Sequence, residues 1–195
     1  MGFSPGVAGC FGKLRGHGDF VTRRLPMTFV EPWDAMLQAG LLEARATLGR
    51  AWLDAYLTAP LWCFALGGGV LGESGWAGVL MPSVDSAGRH FPLTIAARVE
   101  PNVWPMWLPD AYAWFERCGE LALATLSGTA RFADFDAGLV GLSNVRGAVD
   151  AVTPSYVGTP GMSDWWHAGA ARGCVGLPDA GFVAGLLRDG SNQSP

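Results

Sequence analysis

Hydrophobic residues recur at helical spacing in several stretches of the chain. The longest covers residues 27–49, where Thr28 and Glu31 have the separation of a capping box at a helix start. The same spacing predicts four further helices, near residues 50–58, 109–128, 133–142 and 178–189. Between residues 58 and 109 the spacing changes, and apolar residues run together or alternate.

These runs predict β-strands. Residues 61–67 form a near-continuous apolar run that suits a buried strand, and residues 75–85 and 90–100 follow as an antiparallel pair. Residues 7–14 predict a short first strand, residues 164–176 a closing hairpin, and residues 143–162 a loop. Together the elements predict an α/β fold, a sheet of about five strands covered by helices on both faces. At this length we expect one domain over residues 1–190, with a frayed tail at 191–195.

Composition excludes some classes of protein. Half of the residues are hydrophobic and 15% are charged, which is typical of a globular chain, and the formal charge of −4 argues against a nucleic-acid partner. Residues 55–72 carry no charge, but Pro60 and the glycines from 67 to 72 prevent a spanning helix, so we expect no membrane insertion. The four cysteines are far apart in sequence and suit reduced thiols in a cytoplasmic protein.

The polar stretch "GKLRGHGDFVTRRLP", residues 12–26, is the first candidate for chemistry. It does not fit a Walker A loop, because Lys13 precedes the glycine-rich turn and no Ser or Thr follows it. His17 and Asp19 supply two metal ligands, fewer than a catalytic zinc site needs unless Asp85 and His90 join them, so we expect no metal and no cofactor. The remaining interpretation is a glycine turn held by hydrogen bonds to Asp19 and His17.

The cations of this stretch form a basic patch on an acidic protein. The patch is either a solvated face or a docking surface for an acidic or phosphorylated partner, since arginine pairs well with carboxylate and phosphate. The candidate partner-binding residues are Lys13, Arg15, Arg23 and Arg24.

Catalytic signals are weak elsewhere. No G-x-S-x-G elbow occurs, Ser83 lacks a helix start, and nothing favours a Cys10–His17 pair. An alternative function is a small hydrolase acting on phosphate or another polar substrate with Asp19, Asp85 and Arg89. The competing interpretation is that these three residues form a structural ion pair that ties the first turn to the later hairpin.

Three segments together resemble the TagF family, also called ImpM, the accessory proteins of bacterial type VI secretion. They are "GCFGKLRGHGDFVTRRLP" (9–26), "APLWCFALGGGVLGESGWAGVLMPSVDSAGRHFPLTIAA" (59–97), and a tail with "SDWWHAG" (163–169) and "GLPDAGF" (176–182). Arg15 departs from the family pattern, where proline is usual. The signature residues, which have no established role, are Gly12, Lys13, Gly18, Asp19, Phe20, Pro82, Ser83, Asp85, Gly88, Arg89 and Pro92.

The resemblance implies a fold, a function and a partner. The fold would be a three-layer α/β/α sandwich with a mainly antiparallel sheet, similar to longin domains. The function would be cytoplasmic, post-translational repression of secretion-system assembly by binding a forkhead-associated (FHA) scaffold protein. No catalytic residue is carried over from the family, so we expect a binding protein rather than an enzyme. The oligomeric state is left open.

Overall fold

The computed structural model describes residues 5–107, 111–127, 129–145, 158–168 and 170–188. Its centre is a seven-stranded sheet in which every neighbouring pair of strands is antiparallel, with the order β2-β1-β5-β4-β3-β6-β7. The strands are β1 Gly9–Gly12, β2 Val21–Arg23, β3 Trp62–Leu66, β4 Gly75–Met81, β5 Leu93–Val99, β6 Met162–His167 and β7 Ala170–Val175.

Six α-helices accompany the sheet among the described residues. They are α1 Met27–Leu48, α2 Trp52–Thr58, α3 Trp104–Trp107, α4 Ala111–Ala124, α5 Phe132–Gly141 and α6 Ala180–Arg188. Short 3₁₀ turns at Gly49–Ala51 and Leu142–Asn144 continue α1 and α5. None of the described helices is both long enough and apolar enough to cross a lipid bilayer.

Side chains alternate across the strands and enter two hydrophobic clusters. On β4, Val79 belongs to the cluster that includes residues of α4 and α5, and Leu80 belongs to the cluster that includes residues of α1 and α6. On β6, Trp166 and Trp165 divide in the same way. Eight of the nine tryptophans are buried and Trp52 is half-buried, so the high tryptophan content serves the core.

The mixed α/β class with an antiparallel sheet is confirmed, and two details of the prediction are wrong. The sheet has seven strands rather than about five, partly because the three-residue β2 was not foreseen. Helix α1 begins at Met27 with Pro26 before it, and no side chain caps it, so Thr28 lies inside the first turn and the expected capping box does not form.

Other parts of the prediction stay as they were. The three-layer, longin-like sandwich and the single domain over residues 1–190 remain predictions. The tail at 191–195 lies outside the described residues. Residues 146–157 of the loop expected at 143–162 also lie outside them.

Candidate functional site

The two polar signatures meet at one end of the sheet. Strand β1 pairs with β5 in a register that places Gly12 opposite Leu93, so the chain leaving β1 runs beside the connection from β4 to β5. That connection, residues 82–92, narrows at a bridge between Val84 and His90. The signatures lie far apart in sequence, and strand pairing brings them together.

Asp85 is the centre of this site, and its carboxylate is buried. Oδ2 accepts from the Lys13 ammonium group and, at 2.7 Å, from Nε of Arg89. Oδ1 accepts from the backbone N–H groups of Ala87 and Arg89, both at 2.9 Å. The Lys13 hydrogen bond, followed by those from Arg89 and Ala87, holds the pKa of Asp85 well below its usual range against the opposing effect of burial.

Further hydrogen bonds fix the turn after β1 to the β4–β5 connection. The Ser83 hydroxyl donates to the Lys13 carbonyl at 2.7 Å, and the Ser86 N–H donates to the His17 carbonyl at 3.0 Å. The Arg89 guanidinium, besides its contact with Asp85, donates to the Gly18 carbonyl. The two signatures therefore form one hydrogen-bonded unit.

Helix α2 is tied to the same unit through Tyr56, which is buried. Its hydroxyl donates to the Ser83 carbonyl at 2.8 Å and accepts from the Ser83 N–H at 2.9 Å. Nothing in the sequence near Tyr56 indicated this role, because its position shows only helical spacing.

Phe20 covers the Lys13 side of the ion pair. Its ring centroid lies 4.9 Å from the Lys13 ammonium nitrogen, within cation–π range. The ring also stacks on Phe11 at 5.8 Å and meets the edge of Phe91 at 4.8 Å between centroids. The Phe20 ring thus links the Lys13–Asp85 ion pair to the rings of Phe11 and Phe91.

The structure alters the roles predicted for the first signature. The ion pair of Asp85 with Arg89 is present, but Asp19 does not join it. Asp19 is exposed, and its Oδ1 accepts from the Phe20 N–H. Lys13 is only 5% exposed and its ammonium group is already paired with Asp85, which argues against the predicted place of Lys13 on a partner-binding surface.

Of the glycines in this stretch, Gly12 is the one with a left-handed backbone. Its φ is +130°, and a Cβ there would lie 2.0 Å from the Pro92 carbonyl oxygen. Gly16 and Gly18 have no such φ, and the turn at Arg15 and Gly16 is closed by the His17 N–H, which donates to the Leu14 carbonyl at 2.9 Å.

The remaining cations of the patch differ in how firmly they are held. Arg24 has a φ of +55°, donates to the Ala8 carbonyl at 2.8 Å and pairs with Asp136 at 2.7 Å, which lowers the pKa of that acid. Arg15 donates to the Leu126 carbonyl, at 3.2 Å. Arg23 lies over the ring of Phe132 at 4.8 Å. Arg15 and Arg23 are exposed and form no ion pair with the described residues.

The geometry weakens the catalytic and metal hypotheses. The described residues contain no group of three His, Cys, Asp or Glu side chains placed to hold a metal ion. His17 contacts Phe132, and His90 contacts Tyr56 and Trp52. Burial raises the pKa of the Cys10 thiol to about 12, which keeps it in its unreactive protonated form.

Comparison with known proteins supplies the family. The model of the TagF N-terminal domain, described as type VI secretion system-associated, matches residues 9–142, more than half of the chain and both signatures of the site. The chain belongs to the TagF family. The crystal structure of PA0076 from Pseudomonas aeruginosa PAO1 is similar to this TagF-family chain, at 38% identity and a TM-score of 0.78. The similarity covers 92% of this chain and 93% of PA0076. No curated protein sequence matches significantly.

Proposed function

We propose that this TagF-family chain is a cytoplasmic accessory protein of the type VI secretion system and represses its assembly after translation by binding a protein partner. The partner we propose is the FHA-domain scaffold protein. The family match supports the link to type VI secretion. The repression, the cytoplasmic location and the identity of the partner are our inferences.

The state of Asp85 is the observation that favours binding over catalysis. A general acid or base must be able to exchange a proton near neutral pH and must reach a substrate. Asp85 is buried, its pKa is held well below the usual range, and four donors occupy its oxygens. The hydrolase alternative with Asp19, Asp85 and Arg89 therefore loses its central residue.

The outer surface next to this unit is the part that a partner can contact. Arg15 and Arg23 are exposed there, and Arg24 contributes less because Ala8 and Asp136 already hold its guanidinium group. Arginine is favoured at protein interfaces, and its planar fork suits carboxylates. We therefore propose a partner surface of Arg15, Arg23 and, in a smaller part, Arg24.

Co-purification tests the proposal directly. The tagged full chain is expressed in a bacterium with an intact type VI secretion system, and the captured proteins are identified by mass spectrometry. We expect the FHA-domain protein among them, and we expect the purified pair to bind in a pull-down. Overproduction of the chain should reduce secretion without changing the amounts of the secretion proteins. Capture of no component of the apparatus would refute the proposal.

A further inference from the structure

A small concavity lies beside the site, between the β1–β2 turn, the end of α4 and the start of α5. It is lined by Gly16 and His17 of the turn, by Thr125 just after α4, and by Arg131 and Phe132 at the start of α5. Its cavity volume is only about 10 Å³, room for about one water molecule, and it opens to solvent. Pockets for drug-sized ligands begin at roughly 300 Å³ and enclose most of the ligand. This shallow concavity therefore cannot enclose a metabolite, and a partner would contact it from outside, over its surface.

Arginine side chains lie at and beside the concavity. Phe132 is flanked by the His17 ring, 5.1 Å away between centroids, and by the Arg23 guanidinium, 4.8 Å from the ring centroid. Arg15 is anchored at the rim by its hydrogen bond to the Leu126 carbonyl. Residues from two distant parts of the sequence thus converge around one aromatic ring.

Acidic side chains near the concavity neutralise some of these cations but leave others available. Asp134 pairs with Arg131 at 2.9 Å, and Asp136 pairs with Arg24. Asp19 is exposed on the same turn as Arg15 and bonds a backbone N–H. Arg15 and Arg23 remain without an ion pair among the described residues. The charge of Arg23 nevertheless contributes to the lowered pKa of Asp136. The surface therefore presents two available guanidinium groups on a chain whose formal net charge is −4.

We propose that this concavity is the docking site for an acidic segment of a partner protein. Carboxylates of the segment pair with Arg15 and Arg23, and an apolar side chain of the segment contacts Phe132. The charges favour this occupant, because Arg15 and Arg23 are exposed without an ion pair among the described residues, and a segment bearing several carboxylates can pair with both. The inference rests on the proposed function in one respect, that the chain acts by binding a protein.

The test measures binding of a fluorescein-labelled peptide of alternating Asp and Glu with a central leucine to the full chain, by fluorescence anisotropy. A peptide with Asn and Gln in place of the acids is the control ligand. The test variant carries Arg15→Glu and Arg23→Glu. The matched variant carries Arg45→Glu and Arg50→Glu, two exposed arginines outside the concavity, and has the same net charge; Arg45 lies over the Trp52 ring as Arg23 lies over the Phe132 ring. Circular dichroism checks that each variant is folded, and both variants are remade with Gln in place of Glu if the test variant is not.

We expect the acidic peptide to bind and the neutral peptide not to bind. The test variant should weaken binding about tenfold or more, equivalent to about 1.4 kcal/mol, and the matched variant by less than about twofold. Higher salt should weaken wild-type binding because the contacts are exposed. Absence of peptide binding, or equal losses in the two variants, would overturn the docking site. Self-association of the chain that disappears in the test variant would also overturn it, because the occupant would then be a second copy.

The proposed function can fail separately. If the wild-type chain captures no type VI component but binds the acidic peptide through Arg15 and Arg23, the docking site stands and the proposed function falls. If the test variant captures the FHA-domain protein as well as wild type does, the proposed function stands and the docking site falls.

Discussion

The role of Lys13 indicated by the sequence differs from the role that the structure shows. As the single lysine of the chain in a basic stretch, it resembles a surface cation. In the fold its ammonium group is buried between the Asp85 carboxylate and the Phe20 ring. A buried charge must be paired, because removal from water is costly. Each buried charge of the Lys13–Asp85 pair is therefore compensated by the other, and a substitution of Asp85 tests the pair.

Asp85→Asn should lower stability and change its dependence on pH. The pKa of Asp85 is lower in the folded protein than the value of about 3.9 in an unfolded chain, so its ionised form stabilises the fold above that pH. This stabilisation is lost as the pH falls through the folded pKa. The difference in urea midpoint between wild type and variant should therefore be largest near neutral pH and shrink below about pH 4.

Urea unfolding at a series of pH values measures this effect. Asp19→Asn is the control at neutral pH, because Asp19 is exposed and outside the ion pair, and its midpoint should change much less. A constant difference between wild type and Asp85→Asn down to strongly acidic pH would contradict the prediction.

Gly12→Ala tests the close approach of β1 to Pro92. The new Cβ would meet the Pro92 carbonyl oxygen at 2.0 Å in a backbone with φ of +130°, so strain and steric overlap add. We expect a loss of about 2–4 kcal/mol in the free energy of unfolding, from roughly 1 for the backbone and 1–3 for the overlap. Gly72→Ala is the matched control, since Gly72 has a φ of +99° but no atom within 4 Å of the new Cβ. Equal losses in the two variants would show that overlap with Pro92 does not matter.

At the scale of elements, the connection between β4 and β5 is held from two directions. The turn after β1 binds it through Asp85 and Ser83, and α2 binds it through the two hydrogen bonds of Tyr56. A loop fixed on both sides can present Arg89 to the Gly18 carbonyl in one geometry. The position of α2 is therefore coupled to the shape of the signature site.

Tyr56→Phe should release this coupling. The variant leaves the Ser83 N–H without its hydroxyl partner in a buried place, and such a loss costs about 1–3 kcal/mol of stability. Urea unfolding measures the loss, and hydrogen exchange of the Ser83 amide should become faster. Tyr112→Phe on α4 is the control, because Tyr112 is only half-buried and should change stability less. Unchanged exchange at Ser83 would contradict the role of Tyr56.

What the sequence could predict depended on the range of the interaction. Long periodic segments such as 27–49 and 109–128 were predictable because their pattern is local, and α1 and α4 occupy most of them. Strand β2 was not predictable, since three residues are too few to show alternation. The Thr28–Glu31 pattern misled because Pro26 precedes the helix, which begins before Thr28.

The candidate site was predictable only in part for the same reason. The pairing of Asp85 with Arg89 is local, four residues apart, and could be expected. The partner Lys13 lies 72 residues away and is brought there by the pairing of β1 with β5, which no local pattern reveals. The role of Tyr56 has the same origin, because it depends on where α2 packs.

At the scale of the whole molecule, one sheet carries both hydrophobic clusters. Neighbouring residues on the same strand, such as Val79 and Leu80, point into different clusters. Loss of either cluster would expose one face of every central strand, so neither cluster should remain folded without the other. We therefore expect a single cooperative unfolding transition.

Paired core truncations test this cooperativity. Leu37→Ala in α1 and Leu139→Ala in α5 remove fully buried side chains from different clusters, and each should cost about 2–5 kcal/mol. Tryptophan fluorescence and far-ultraviolet circular dichroism should report the same urea midpoint within each variant, because the sheet transmits the loss from one cluster to the other. A variant with two transitions, or with midpoints that differ between the probes, would show that the two clusters unfold independently.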